Sequence, residues 1–115
     1  MEDLDRWIAE NIMEFEYIDQ LNSWYPTEEQ LGRARQVDDG HPKSRWHPPT
    51  DIAQAFQVVG KMVKNGWKFE MHIQGEDQWA CFSKCPDPFH PKIFCSDDKE
   101  IATAICLAAK KALEE

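Results

Sequence analysis

The chain lacks any apolar run close to the ~18 residues that a membrane-crossing helix needs, so no membrane role is expected. Its start, MEDLDRW, has neither the basic segment nor the apolar stretch of a secretion signal, which reads as a cytosolic protein. Internal repeats and low-complexity tracts are missing too. Cations are scarce early on: residues 1–30 hold nine of the 21 acids and Arg6 alone of the 13 cations. A general nucleic-acid binder needs clustered Lys and Arg to displace phosphate counterions, so the net charge of −8 argues against that class and favours a basic partner or none.

The expected reducing compartment bears on Cys81, Cys85, Cys95 and Cys106. They would permit two disulfides, but such bonds rarely persist there, so they read as thiols or metal ligands. With 115 residues, 42% of them hydrophobic and 30% charged, the chain can bury one core without a metal or a cross-link. A single domain over residues 1–115 follows.

Leu4, Trp7, Ile8 and Ile12 recur at helical spacing and predict an amphipathic helix over residues 3–14. Tyr17 to Pro26 keeps no period and reads as an ordered loop or short turn. Thr27-Glu28-Glu29-Gln30 has the form of a capping box, followed by a short helix at best. Residues 37–49, with Gly40, Pro42, Pro48 and Pro49, read as a loop. A firmer helix spans residues 51–64, with Thr50 as N-cap and Asn65-Gly66 at its end.

Trp67, Phe69, Met71 and Ile73 alternate with polar residues, predicting a strand, and Gln78 to Ser83 returns after a turn at Gly75 to complete a hairpin. Either Trp79/Cys81 or Ala80/Phe82 could face inward. Pro86-Asp87-Pro88 and Pro91 break the chain before a third short strand at Lys92 to Cys95. Asp97 and Glu100 open a final alanine-rich helix that Lys110 and Lys111 close, with Cys106 in its core. The predicted fold class is α+β, a small antiparallel sheet of two to three strands flanked by helices in an α/β/α sandwich-like arrangement.

Three features carry the order of one family: Pro48-Pro49-Thr50-Asp51-Ile52-Ala53 at a helix start, Ala104-Ile105-Cys106-Leu107-Ala108-Ala109 in the last helix, and Ile12-Met13 ending the first. On them the chain resembles the phage α/β/α (ABA) sandwich domain of small bacteriophage and prophage proteins. The resemblance implies a sheet flanked by helices, a phage or prophage origin and residence in the host bacterial cytoplasm. It implies no reaction and carries over no active-site residue.

Four sets of side chains could carry chemistry. Cys81, Cys85, His90 and Cys95 are separated by three, four and four intervening residues, close to a zinc knuckle, and thiolates with imidazole could close a tetrahedral zinc site. The bland alternative is small apolar strand cysteines beside a surface histidine. His72 and Cys81, on neighbouring strands, could pair as base and nucleophile, although nothing near them supplies an oxyanion hole. The loop residues Arg35, Arg45, Trp46 and His47 mix cations and aromatics that could hold a nucleotide or small molecule, unless Trp24 and Trp46 plug the core edge. Glu10, Glu14 and Glu16 could dock on a basic surface, or be a solvated helix face.

The expected function is a non-enzymatic phage accessory protein that binds a host or viral protein with a basic surface. A nucleotide- or small-molecule-binding module and a zinc-dependent interaction module are the alternatives. No cofactor is expected outside that zinc reading, and an exposed helix or strand edge would favour a homodimer.

Overall fold

The computed structural model describes residues 2–85, 89 and 91–114. The chain divides into two units, Met1–His47 and Pro48–Glu115.

In the first unit, α1 (Glu2–Asn11) buries Leu4, Ile8 and Ile12 along the stripe that its period predicts. It stops earlier than the apolar spacing suggests. The amides of Ile12 and Met13 both turn to the Ile8 carbonyl, Phe15 N reaches Ala9 O, and Glu14 takes a positive φ of 56°. A left-handed residue of this kind ends a helix and redirects the chain.

Where the sequence reads as loop, the chain instead forms a small antiparallel sheet: β1 (Glu16–Ile18), β2 (Ser23–Tyr25) and β3 (His41–Pro42), in that order. Strands of two or three residues cannot display a period, and this is why the pattern misses them. Tyr17 lies opposite Trp24, and Trp24 opposite His41. Between β2 and β3, Thr27 Oγ1 accepts from Gln30 N while Gln30 Oε1 accepts from Thr27 N. This is the predicted capping box, and it starts a single helical turn, α2 (Glu28–Leu31).

Gly40 packs against the buried Tyr25 ring so closely that a Cβ there would stand 2.5 Å from Tyr25 Cζ. Gly40→Ala must therefore push an aromatic ring out of a closed site. It should lower stability by about 1–3 kcal/mol, read as the urea midpoint, whereas alanine at the unobstructed Gly60 should do no such harm to packing.

The second unit begins with α3 (Ile52–Lys64). Its N-cap is Asp51, whose Oδ1 accepts from Gln54 N, in place of the expected Thr50. At its other end Gly66 N bonds to Val63 O and Trp67 N to Met62 O, the paired bonds of a Schellman motif. β4 (Lys68–Gln74), β5 (Asp77–Lys84) and β6 (Lys92–Asp98) then form an antiparallel sheet in that order. The third strand runs three residues beyond its predicted end at Cys95, through the acids from which a helix start was expected. α4 (Ile101–Glu114) follows, and Asp98 Oδ1 accepts from Glu100 N just before it. Pro86, Asp87 and Pro88, read above as breakers, lie outside the described residues.

The register decides which face of β5 is inward. Ala80 and Phe82 are fully buried, opposite Met71 and Phe69 on one side and Ser96 and Phe94 on the other. α4 packs over this face of β5 and β6, with α3 beside it. Alanines at 102, 104, 108, 109 and 112 let α4 sit deep, buried almost all round. Thr103, also buried, donates to Pro49 O at 2.7 Å and so ties α4 to the approach to α3. The opposite face of the sheet, with Glu70, His72, Trp79, Cys81, Cys95 and Asp97, carries no helix of this unit among the described residues.

Candidate functional site

The cysteine set is not assembled as a zinc site. Cys81 and Cys95 lie directly opposite on β5 and β6, with Cα atoms 4.1 Å apart, and are joined as a disulfide. This corrects the reading of both as free thiols or metal ligands, because a disulfide sulfur offers no thiolate to zinc. Side chains that share one face of paired strands meet without any loop, a proximity that linear spacing does not reveal. Cys85 is a free, exposed thiol, and His90 lies outside the described residues. Among the described residues no group of three or more potential ligands could hold a metal. The His72–Cys81 pairing fails as well, since the Cys81 sulfur is already bonded to Cys95 and is no free nucleophile.

The loop set is likewise redirected. Trp46 is 1% exposed, the bulkiest fully buried side chain among the described residues. Its Nε1 donates to the Asp5 carbonyl at 3.0 Å, and its ring packs edge-on to Phe15 and against His41. It is a core residue with no free face for a base or ligand. His41 stacks on Phe15, and burial pushes its imidazole pKa below the ordinary value. His47 is fixed between Asp5 Oδ2 at its Nδ1 (2.9 Å) and Ser44 O at its Nε2 (2.8 Å). Both are acceptors, and only the doubly protonated ring can donate to both. Arg35 pairs with Glu16, while Arg45 is exposed and engaged in its own contact.

Of the acidic set, Glu10 pairs with Arg6 at 2.7 Å and Glu16 with Arg35 at 2.5 Å, so two of the three carboxylates already face cations of their own chain. Glu14 occupies the left-handed position that ends α1. Nearby, two hydrogen bonds from Arg33, then one from Gln36 N, hold the Asp39 carboxyl below its usual pKa range.

A different place gathers unspent charge and aromatic surface. At the Gly75-Glu76 turn end of the second sheet, a concavity of about 520 Å³ is lined by His72, Gln74, Glu76, Asp77, Trp79, Asp97 and Asp98, with Gln78 and Lys99 completing it. Three strands supply one row across the uncovered face, His72 on β4, Trp79 on β5 and Asp97 on β6, in direct register. The His72 and Trp79 rings stack with centroids 5.1 Å apart and planes within 5°. No ion pair engages Glu76, Asp77 or Asp97 among the described residues. The concavity is open and polar, with four carboxylates against Lys99, and it suits a cationic side chain laid on the indole more than an enclosed apolar ligand. Sequence reading missed it because the two apolar pairs of β5 left its outward face undecided.

Among the described residues no helix is long and apolar enough to cross a membrane. Of the family models, the one described as phage ABA sandwich domain matches residues 6–110. No curated protein and no solved structure matches.

Proposed function

We propose that this chain, which belongs to the phage ABA sandwich domain family over nearly its whole length, is a non-enzymatic accessory protein that docks on a basic segment of a host or viral protein. It needs no cofactor. The observation that carries this reading is the row His72–Trp79–Asp97, an indole beside Glu76, Asp77 and Asp97, which no ion pair engages among the described residues. An arginine or lysine placed on the Trp79 face would gain both the ring quadrupole and the surrounding acids. The docking surface thus moves from the acidic N-terminal residues to the sheet. A nucleotide module would have to use a Trp46 that is buried, and a zinc module two sulfurs that are bonded to each other.

Calorimetric titration with a short arginine-rich peptide tests the proposal. Trp79→Ala should weaken binding about tenfold, equivalent to ~1.4 kcal/mol and within the range of a partly desolvated cation–π contact. Asp97→Asn should weaken it in the same direction, and combined reversal of Glu10, Glu14 and Glu16 to Lys should change it far less. Equal affinity for the wild type and Trp79→Ala, or loss of binding only in the triple reversal, would sink the reading.

A further inference from the structure

β4 is an edge strand that lacks two usual protections of an edge. Its seven residues pair one-to-one with β5, with no bulge and no proline, and among the described residues no strand pairs with its other side. The other edge of the sheet is treated differently, since Lys111 Nζ donates at 3.0 Å to the carbonyl of Cys95 on β6. Near β4, large apolar side chains stay in water: Met71 and Ile73 on the strand, and Ile52, Phe56 and Val63 on α3, which touches it, are each at least 43% exposed. Spaced at four and seven residues, the three on α3 form one stripe that continues its buried face.

The backbone groups at this edge can be assigned. The short 4.1 Å Cα spacing of Cys81 and Cys95 marks them as a non-hydrogen-bonded pair between β5 and β6. By alternation, Cys81 and Trp79 exchange their hydrogen bonds with Glu70 and His72 instead. Phe69, Met71 and Ile73 therefore aim their N–H and C=O groups at the open edge, the same residues whose side chains lie on the helix-covered face of the sheet.

We infer that β4 pairs antiparallel with β4 of a second copy of this chain, about a two-fold axis through Met71, to make one continuous six-stranded sheet. A two-fold perpendicular to the sheet keeps both helical layers on one side, and this requires inward residues to face inward ones. With Met71 on the axis, Phe69 meets Ile73 of the second copy, Glu70 meets His72, and Lys68 meets Gln74. Every position of the strand is used, the apolar residues face each other, and the acid faces the imidazole. Shifting by one step toward Glu70 would instead oppose Glu70 to Glu70 and Lys68 to His72, and like charges directly opposite are destabilising. The edge shares His72 and Gln74 with the rim of the concavity, but the pairing is argued from the backbone groups and apolar residues of β4 and does not depend on the concavity holding a cation.

Light scattering on the full chain at about 100 µM should give twice the 13.4 kDa of one chain, falling toward one chain on dilution. Met71→Lys, which sets two cations on the axis, should give single-chain mass with an unchanged circular dichroism spectrum. Register is read by oxidation in a Cys85→Ala background. Met71→Cys should cross-link chain to chain, because a hydrogen-bonded antiparallel pair holds Cα atoms about 5.5 Å apart, within disulfide reach. Ile73→Cys, opposite Phe69, should not. Single-chain mass for the wild type, a Met71→Lys dimer, or cross-linking of Ile73→Cys as fast as Met71→Cys would overturn the inference.

Discussion

Replacing Trp46 by alanine should remove about 3–5 kcal/mol of stability, the range for losing a fully buried large aromatic side chain. The figure follows from two losses at one place. The indole packs against both members of the Phe15–His41 stack, and alanine leaves most of its volume empty. Its N–H is the donor to the Asp5 carbonyl on α1, so a buried acceptor loses that bond. The side chain is 1% exposed, so water cannot repair either deficit. Against a usual domain stability of about 5–15 kcal/mol this is a large share, and the urea midpoint should fall accordingly, with faster amide exchange in β1, β2 and β3. Trp46→Phe separates the terms, since it keeps much of the ring packing and gives up only the donor. It should cost about 1–3 kcal/mol. A Trp46 that served as an exposed stacking platform would behave otherwise, with Trp46→Ala within about 0.5 kcal/mol of the wild type.

Trp46 also marks the boundary of what sequence reading can reach. Elements long enough to repeat a period were legible: α1, α3, the β4–β5 hairpin and α4 all follow from their apolar spacing, and the capping box at Thr27 from local chemistry alone. β1, β2 and β3 were not, because strands of two or three residues contain no full repeat, and β3 finds its partner β2 seventeen to nineteen residues away. The site residues failed for a related reason. Composition marks Arg35, Glu10 and Glu16 as charges available to a partner, yet Arg6 satisfies Glu10 four residues away and Arg35 satisfies Glu16 across nineteen. Which charges are left over depends on pairings that the linear sequence does not contain. The same holds for Cys81 and Cys95, whose proximity is a property of strand register, and for the row His72–Trp79–Asp97, whose members lie seven and eighteen residues apart and meet only because β4, β5 and β6 are in the order observed.

In the second unit the largest loss should come from Phe82→Ala, again about 3–5 kcal/mol. Phe82 is 0% exposed on the central strand, with the Phe69 ring 5.1 Å away on β4 and Phe94 opposite on β6. Above it lies α4, whose alanines were suited to a large ring below and cannot grow to fill its absence. Collapse is limited sideways too. Both neighbouring strands hold Phe82 in a continuous ladder, and Cys81–Cys95, the adjacent pair, ties β5 to β6 on the other face. A site that cannot collapse keeps its cavity and the higher end of the cost. Phe82→Leu, which retains most of the volume, should cost no more than about 1.5 kcal/mol. Urea unfolding with and without dithiothreitol checks the account. Opening a cross-link across 14 residues should remove roughly 3 kcal/mol of its own, so reduced Phe82→Ala should be the least stable of the four states. If Phe82→Ala and Phe82→Leu unfolded at the same urea concentration, the close packing of α4 on the centre of the sheet would be refuted.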